Sequence, residues 1–347
     1  MFTADAVGVS NYKEISVKLL DEKPIKQKAY RLSPKEEIAL KEILENLLSK
    51  GIIKKSDSAW SSPVVLIEKK PIGYRLTVDY RMVNKQIEIS AFRIPLIDDL
   101  LAAIGNSRIF SCVDLNSGFW QLRLKEESQK ITAMATKFGN FEFCVLPQGL
   151  ACAPAVFQKA MEDILGDMLG KGILVYVDDI LIYSETKAEH YALLKTLFER
   201  LKQFNVKLNL KKRYFMKEKL NYLGFGIGPQ GLIPQKEKVL DILNLNVPSS
   251  QKEARAIVGV FSFYRRFIPN LASVMKPITD LTKKHISFRW TQEADDSFNK
   301  IKELFNEELI LAHPRPGGIY HLFTDASNVG IGAALHLEEN ENLSPVM

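Results

Sequence analysis

Residues 174–183, LVYVDDILIY, place two adjacent aspartates between two apolar arms, and no other segment of this sequence limits the possible folds so strongly. The arms are rich in β-branched residues, so the segment predicts a β-hairpin with Asp178 and Asp179 at its tip. Adjacent aspartates are also common in ordinary tight turns. Here, however, the apolar arms bury the surroundings of the turn, and buried carboxylates without a counter-charge are costly. A divalent cation would offset that cost, because Mg²⁺ prefers oxygen ligands and is held by one or two carboxylates together with substrate phosphates.

A third aspartate fits the same interpretation. Asp114 ends the predicted strand 109–114 and is followed by a turn at residues 115–119. Two metal ions about 3.5–4 Å apart need carboxylates from separate strands to bridge them during an in-line displacement at phosphorus. The sequence therefore predicts that Asp114, Asp178 and Asp179 together hold the metal ions of a phosphoryl-transfer site.

The remaining pattern mixes helices with antiparallel strands, and the predicted fold class is α+β. A helix is predicted at 34–50, because Ser33 can cap it, Pro34 suits its first turn and Gly51 stops it. The other predicted elements are a β-hairpin with arms at 63–68 and 74–80, a strand pair across 139–140, a helix at 154–168, helices at about 235–245, 251–267 and 271–283, a further helix after Trp290, and strands at 320–324 and 330–337.

Length and composition predict two or three folded units with an ordinary apolar core. The chain has 347 residues, of which 46% are hydrophobic. No apolar run approaches the roughly 18 residues that span a bilayer, and the start of the chain lacks the basic and apolar stretches of a signal peptide. We therefore expect a cytoplasmic or nuclear protein without membrane contact. Its three cysteines, Cys112, Cys144 and Cys152, form no Cys-x-x-Cys pair, which predicts buried thiols instead of disulfides or a zinc knuckle.

Positive charge is concentrated in the first five sixths of the chain. Residues 290–347 carry ten Asp and Glu against three Lys and Arg, a balance of −7, which leaves +13 for residues 1–289 against a chain total of +6. Two stretches, 195–219 and 252–289, hold most of the excess. Each could be a solvated helix face, but such a distribution is also typical of proteins that bind a polyanion.

Several blocks of the sequence, in this order along the chain, resemble the reverse transcriptases of gypsy-type LTR retrotransposons. The blocks are GII (51–53) with SSPVV (61–65), YR (74–75) with VDYR (78–81), VDL (113–115), LPQGL (146–150) with AP (153–154) and FQ (157–158), YVDD (176–179), YLG (222–224), FRWT (288–291) and FTDAS (323–327). Together they cover nearly the whole chain. Gln148 stands where this family more often has Phe, and the finger tip reads KKPIG instead of beginning Lys-Lys-Asp-Gly.

The resemblance implies a right-hand polymerase with fingers, palm and thumb, its palm an antiparallel sheet backed by helices, followed by a truncated ribonuclease H-like segment. The implied boundaries are fingers at 1–95 and 125–146, palm at 96–124 and 147–231, thumb at 232–284, and a linker with an incomplete ribonuclease H-like domain at 285–347. The implied activity is that of a reverse transcriptase, an RNA-directed DNA polymerase that extends a primer with dNTPs on an RNA or DNA template.

The resemblance also implies how the metal ions are held. Asp114 and Asp178 would bind two Mg²⁺, for which Mn²⁺ could substitute. Asp179 would assist one ion, and the backbone carbonyl of Val113 would be a further ligand.

For the nucleotide pocket, the resemblance implies that a lysine at the finger tip and Arg75 hold the triphosphate. Lys70 is the first choice for the lysine and Lys69 the second. Gln148 would line the pocket near the sugar. Phe119 would lie beneath the sugar ring and exclude a 2′-hydroxyl, with simple core packing as its alternative role.

Primer and template contacts are implied for seven residues in three groups. They are Arg81 and Tyr176 in the polymerase core, Tyr222, Leu223 and Gly224 in a strand pair that grips the primer terminus, and Arg265 and Arg266 in the thumb. Of the two arginines, one could equally face solvent alone. Beyond template and dNTPs, an RNA–DNA hybrid is an expected partner, and the sequence leaves open whether the chain forms a homodimer. The resemblance places such proteins in virus-like particles in the cytoplasm.

At the C-terminal end, Asp325 would be the first catalytic carboxylate of a ribonuclease H domain. That chemistry needs further acidic ligands, and in the family they come from later elements that this sequence lacks. We therefore expect no ribonuclease H activity from this chain. Glu338, Glu339 and Glu341 predict a solvated turn.

Two other functions compete with reverse transcription. An RNA-dependent RNA polymerase would share the metal chemistry, but Phe119 argues against it because a ribonucleotide site needs a polar group there. A captured fragment that binds nucleic acid or acts as a scaffold without catalysis is the second alternative. The intact aspartates, Arg75 and Gln148 argue against it.

Overall fold

The chain folds into two units of mixed helix and sheet. The computed structural model describes residues 8–69, 73–268, 270–305, 310–315, 317–327, 330–339 and 342–346. The first unit comprises Met1–Pro95, Ser111–Ile182 and Ala188–Phe215, and the second comprises Leu96–Phe110, Tyr183–Lys187 and Met216–Met347. The finer division into fingers, palm and thumb stays a prediction.

The described helices alternate with strands along most of the chain. The helices are α1 (Pro34–Ser49), α2 (Ile97–Ala102), α3 (Glu126–Gln129), α4 (Ala153–Leu165), α5 (Lys187–Gln203), α6 (Lys236–Leu243), α7 (Gln251–Phe263), α8 (Leu271–Asp280) and α9 (Gln292–Phe305). The strands are β1 (Ile53–Lys55), β2 (Ser62–Glu68), β3 (Tyr74–Val78), β4 (Ile109–Leu115), β5 (Met134–Thr136), β6 (Gly139–Phe143), β7 (Ile173–Tyr176), β8 (Asp179–Ser184), β9 (Leu208–Lys217), β10 (Leu220–Tyr222), β11 (Phe225–Gly228), β12 (Gly231–Pro234), β13 (Ile319–Ser327), β14 (Gly330–Glu339) and β15 (Asn342–Pro345).

The first helix begins and ends where the sequence predicts. Ser33 and Glu36 form a reciprocal capping box, in which the Ser33 N–H donates to a Glu36 carboxylate oxygen at 2.7 Å. Leu40, Leu44 and Leu47 recur at helical spacing and are buried. Gly51, with φ of +65°, adopts the left-handed conformation that favours glycine directly after the helix.

A five-stranded sheet in the first unit has the order β1-β6-β5-β2-β3. The predicted hairpin is confirmed as β2 and β3, paired from Val64 with Val78 to Glu68 with Tyr74. Its tip, residues 70–72, lies outside the described residues. The strand pair predicted across 139–140 has its turn earlier, at residues 137–138, because Gly139 pairs with Thr136 and the Phe138 N–H donates to the Thr136 hydroxyl at 3.1 Å. That part of the prediction was wrong.

A four-stranded sheet has the order β7-β8-β4-β9. Strands β7 and β8 form the predicted apolar hairpin, with Tyr176 paired with Asp179 across the turn. Residues 180–182 of β8 are fully buried, which agrees with the apolar character of both arms. Because β4 lies next to β8, the sheet brings the end of β4 beside the tip of the β7–β8 hairpin.

In the second unit, strands β10, β11 and β12 form a three-stranded antiparallel sheet. Leu232 of β12 exchanges two backbone hydrogen bonds with Leu311, at 2.8 and 3.0 Å, so the segment after α9 adds to this sheet. A Cβ atom at Gly231 would lie 2.0 Å from the Leu311 carbonyl oxygen, and φ of Gly231 is +137°. Only glycine is compatible with this approach.

The predicted strands near the C-terminal end exist and are joined by a third. Strands β13, β14 and β15 form an antiparallel sheet. The solvated turn predicted for Glu338 and Glu339 was wrong, because both lie within β14, paired with Leu343 and Asn342. The Glu338 carboxylate lies 2.6 Å from the His321 ring. Glu341 lies outside the described residues.

Within the described residues, no helix combines the length and the apolar surface that crossing a bilayer requires.

Candidate active site

The turn between β7 and β8 is held by a buried glutamine. Val177 has φ of +53°, a conformation that β-branched residues rarely adopt. Gln158 on α4 is fully buried; its Oε1 accepts from the Val177 N–H at 2.6 Å, and its Nε2 donates to the Val175 carbonyl at 3.1 Å. These bonds hold the backbone of the turn in one conformation. The positions of Asp178 and Asp179, which come directly after Val177, are thereby defined.

Asp114 lies beside this turn. The backbone N–H of Leu115 donates to the Asp178 carbonyl at 3.1 Å. The Nδ2 of Asn209, on β9, donates to Oδ1 of Asp114 at 3.2 Å. A Cβ atom at Gly118 would lie 3.5 Å from the Cβ of Asp178, so the chain after β4 packs closely against the aspartate turn. The predicted neighbours Asp114 and Asp178 are thus brought together.

The carboxylates also act on a common neighbour. Burial, and after it the charges of Asp179 and Asp114, raise the pKa of the Cys112 thiol to about 12. Cys112 and Asp114 lie two residues apart on β4 and therefore project from the same face of the strand. Both carboxylates therefore lie close enough to the Cys112 thiol for their charges to act on it.

The donor chemistry fits a hard divalent cation. All three aspartates are half-buried and offer oxygen ligands. Among the described residues, no three His, Cys, Asp or Glu side chains form a ready-made metal centre. In Mg²⁺ sites at transferred phosphates, one or two carboxylates commonly share the ion with oxygen ligands of the substrate. Val113, the predicted backbone ligand, is buried in β4.

Most residues predicted for the nucleotide pocket line one cavity of about 520 Å³ in the first unit. The predicted residues in its wall are Lys69, Arg75, Asp114, Phe119, Gln148 and Asp178. Cations and carboxylates therefore face the same space, as a nucleoside triphosphate with its metal ions requires. Of the two candidate lysines, Lys69 lines the cavity and Lys70 lies outside the described residues.

Two contacts orient the pocket side chains. Arg75 donates a hydrogen bond through its guanidinium to Oε1 of Gln148, so these exposed side chains form one polar wall. The ring of Phe119 packs on Phe157, with centroids 4.8 Å apart. Phe119 is half-buried, so its ring both packs on the core and lines the cavity.

Comparison with known proteins assigns this region. Residues 67–227 match the family described as reverse transcriptase (RNA-dependent DNA polymerase), and residues 290–347 match the RNase H-like domain found in reverse transcriptase. Residues 67–227 belong to the reverse transcriptase family. The resemblance noted in the sequence is thereby confirmed.

Two curated relatives of the reverse transcriptase domain come from Drosophila melanogaster. The retrovirus-related Pol polyprotein from transposon 297 is 38% identical over 90% of this chain, and the Pol polyprotein from transposon gypsy is 31% identical over 97%. The chain spans 30% and 34% of the length of these two polyproteins.

Solved structures confirm the predicted fold class. The foamy viral protease-reverse transcriptase is 26% identical over 97% of this chain. Its complex with double-stranded DNA has a TM-score of 0.87 and its complex with an RNA/DNA hybrid one of 0.83. This chain covers 60% and 46% of those two chains.

Within the reverse transcriptase domain, one predicted template contact is already engaged. Arg81 donates to both carboxylate oxygens of Asp79, at 2.8 and 2.7 Å, and Tyr30 donates to the same carboxylate. The Arg81 hydrogen bonds hold the pKa of Asp79 well below its usual range. Arg81 remains 83% exposed, and its contact with the template stays a prediction. Tyr176 is half-buried at the end of β7.

In the second unit, the predicted primer-gripping residues form a tight turn between β10 and β11. Tyr222 pairs with Phe225, and the two residues between them, Leu223 and Gly224, have φ of +48° and +91°. Two central residues with positive φ suit the twist of a two-residue hairpin. Leu223 and Gly224 are half-buried, while Tyr222 itself is buried.

The two arginines predicted for the thumb have different surroundings. Arg266 forms an ion pair with Asp98 at 2.7 Å, and its guanidinium lies 5.6 Å from the centroid of the Phe225 ring. Arg265 is exposed. Arg265 is therefore the better placed of the two for an external phosphate. Asp325 lies on β13 with its backbone paired with Gly332; the roles of all three residues stay predictions.

Sequence reasoning missed the residues that support the site. Gln158 holds the aspartate turn and Asn209 donates to Asp114. The sequence motif contains Gln158, but nothing in the residue order shows that its amide serves the turn 19 positions later. Asn209 carries no signal in the sequence.

Proposed function

We propose that this chain is an RNA- and DNA-templated DNA polymerase, which extends a primer with dNTPs. The observation that carries the proposal is the cavity that is lined by the cations Lys69 and Arg75, the carboxylates Asp114 and Asp178, and the ring of Phe119. Membership of residues 67–227 in the reverse transcriptase family supports the same activity.

The metal ions are proposed to be two Mg²⁺, held by Asp114 and Asp178 with Asp179 and the Val113 carbonyl assisting. Divalent cations, which this family generally uses, would supply charge neutralisation and polarisation of the phosphoryl oxygens. Asp114 and Asp178, which line the cavity, would direct their ligand oxygens into it. Gln158 would hold the turn that presents two of them, and Asn209 would restrict the rotation of Asp114.

The cationic wall would bind the triphosphate. Arg75 offers a planar fork of donors that suits phosphate oxygens, and Lys69 adds a point charge. The hydrogen bond from Arg75 to Gln148 would orient the guanidinium before the nucleotide arrives. Phe119, supported from behind by Phe157, would limit the space at the 2′ position of the sugar.

The proposed macromolecular partner is a primer annealed to RNA or DNA. The complexes of the foamy viral protein with double-stranded DNA and with an RNA/DNA hybrid support this class of partner. The excess of positive charge in residues 1–289 supports it independently, because neutralised phosphates contribute most of the affinity of non-specific nucleic-acid binders.

Primer extension tests the proposal. The purified chain, with Mg²⁺ and dNTPs, should extend a labelled primer on an RNA template and on a DNA template of the same sequence, and a chelator should stop both reactions. Efficient extension with rNTPs would instead favour an RNA polymerase. Tight binding of the primer–template without extension in Mg²⁺ or Mn²⁺ would favour a non-catalytic nucleic-acid-binding protein.

A further inference from the structure

Residues 8–33, which precede α1, form an extended strap across the first unit. Short bridges pair Ile15 with Leu124, Leu19 with Ile87, and Lys26 with Ser61. These partners lie far apart in sequence, so the strap ties several parts of the unit together. It lies outside residues 67–227, which carry the family match.

The beginning of the strap is attached to Gln121 by Ser10, while its neighbours Val9 and Asn11 bond to Asn205 and Phe204. The N–H and the hydroxyl of Ser10 both donate to the carbonyl of Gln121, at 2.7 and 2.8 Å. Ser10 is 4% exposed, so water competes little for these bonds. A Cβ atom at Gly8 would lie 2.3 Å from Cγ of Lys207, which shows how closely the strap covers that side chain.

Gln121 in turn joins two chain segments through its side chain. Its Nε2 donates to the carbonyls of Asn116 and Lys207, both at 2.9 Å, and its Oε1 accepts from the Lys207 N–H at 2.8 Å. The Asn116 N–H donates to the Lys207 carbonyl at 3.1 Å. Gln121 is 2% exposed, and buried networks of this kind are stable only when every member keeps its partner.

The segment that this network closes, residues 116–121, carries Phe119. It begins two residues after Asp114 and includes Ser117 in a left-handed conformation, with φ of +51°. We propose that Gln121 is a positioning residue for nucleotide selection and that Ser10 holds Gln121 in place. The strap thereby determines how rigidly Phe119 is held beside the sugar of the nucleotide. The inference rests on the proposed polymerase function and extends it to residues outside the cavity wall.

The physical reason is the short distance over which sugar discrimination operates. A 2′-hydroxyl differs from hydrogen by one oxygen atom, so a ring that yields by about 1 Å no longer excludes it. Phe157 supports the Phe119 ring on one side. The position of the ring also depends on the backbone of residues 116–121, to which its side chain is attached. Loss of the Gln121 hydrogen bonds would free that backbone to move.

Two substitutions and two matched controls test the inference. Ser10→Ala removes the hydroxyl bond to Gln121, and Gln121→Met removes three hydrogen bonds at nearly constant volume. Ser128→Ala removes a different buried contact of the strap, the bond from the Val17 N–H at 2.9 Å. Gln129→Met removes the amide bond to the Leu124 carbonyl at 2.9 Å, away from residues 116–121.

The measurement is kcat/KM for one rNTP divided by kcat/KM for the matching dNTP, together with the thermal midpoint. We expect this ratio to rise about threefold in Ser10→Ala and about tenfold in Gln121→Met, in the range of one to several hydrogen bonds. The two controls should lower the midpoint without moving the ratio. If the ratio moves equally in controls and test variants, or in none, the inference is wrong.

Amide hydrogen exchange separates this inference from the function on which it rests. The amides of Asn116 and Lys207 should exchange faster in Gln121→Met than in the parent. In Gln129→Met their exchange rates should equal those of the parent. A parent that extends no primer would contradict the proposed function, while the exchange rates would still decide whether Gln121 holds residues 116–121. Equal exchange of these two amides in parent and Gln121→Met would overturn the positioning role.

Discussion

Two tight turns, one in each unit, hold a bulky residue in the left-handed region, and they do so by different means. In the β7–β8 turn, Val177 is held by the buried amide of Gln158. In the β10–β11 turn, Leu223 is followed by Gly224, which adopts positive φ at little cost. In the first turn a buried side chain holds the backbone that precedes Asp178 and Asp179, whereas the second turn relies on the conformational freedom of glycine.

The side chains that pack against the two turns also differ, being polar at the first turn and aromatic at the second. Polar side chains support the first turn: Asn209 donates a hydrogen bond to Asp114, and Gln158 accepts one from the Val177 N–H. Under the second turn, the ring of Phe225 stacks on Phe263 at 5.4 Å and on Phe267 at 5.9 Å. Side-chain chemistry should therefore dominate the first turn and backbone conformation the second.

The largest expected effect is at the first turn. Asp178→Asn keeps the shape of the side chain and removes its charge, so polymerisation should fall by about a factor of a thousand or more, at roughly 1.4 kcal/mol for each factor of ten. The thermal midpoint and primer–template affinity should be retained. Single-turnover extension measures the loss, and Asp167→Asn, at a carboxylate whose side chain is 79% exposed, is the control. A mutant with near-parental rate would refute the assignment of Asp178.

A smaller effect of the same kind is expected at Phe119. Replacing its ring by valine opens the space at the 2′ position, so the kcat/KM ratio for rNTP over dNTP should rise by about ten- to a hundredfold. Use of dNTPs should fall only modestly. Phe138→Val, at an exposed ring in the β5–β6 turn, should leave the ratio unchanged. The same result in Phe119→Val would make Phe119 a core residue.

The second turn should respond to a backbone change. Gly224→Ala adds a methyl group that meets only Phe263, at 4.0 Å, so its cost is the positive φ, about 1–2 kcal/mol. We expect a lower thermal midpoint and a KM for primer–template raised about five- to tenfold. The rNTP-to-dNTP ratio should not change.

A second glycine serves as the control, because its substitution by alanine should raise the stability of the chain. Gly259 lies within α7 with open space around it, so Gly259→Ala should stabilise the chain by about 0.5–1 kcal/mol. If both glycine substitutions stabilise, the conformation of Gly224 is not restricting, and the contrast between the two turns fails.

The smallest expected effects are those of the two arginines predicted for the thumb, and they should differ in kind. Arg265→Ala should weaken primer–template binding about threefold and make the slope of log K against log salt shallower by about 0.9 for a duplex. Arg266→Ala breaks the Asp98 ion pair and the contact with Phe225, and should lower the thermal midpoint with little change in slope. Binding titrations at several salt concentrations measure both. The reverse assignment of effects would show that Arg266 leaves its internal partners to bind nucleic acid.

Local signals in the sequence predicted most of the elements. The Ser33 cap, the apolar arms around Asp178 and the glycine at position 51 each act within a few residues, and each produced the expected structure. The turn at 137–138 escaped because the Thr136 hydroxyl, and not the Gly139–Asn140 pair, organises it. The extension of β14 through Glu338 depends on β15, which no short motif announces.

The support of the site could not be predicted for a different reason. Gln121 meets Lys207 across 86 positions of sequence, and Asn209 meets Asp114 across 95. A single polar residue carries no periodicity, so its partner is fixed only by the fold. The same holds for Arg266, whose basic character suggested an external phosphate while the fold supplied Asp98.

The pairing of Leu311 with Leu232 sets where this chain can be shortened. Although the RNase H-like match begins at residue 290, Leu311 and His313, whose Nε2 lies 3.1 Å from the Gly228 carbonyl, bond to the sheet that carries the Leu223–Gly224 turn. A fragment that ends before Leu311 would leave the edge of β12 open to other chains, and open strand edges promote aggregation. A fragment of this chain prepared for crystallisation should therefore retain the residues through His313.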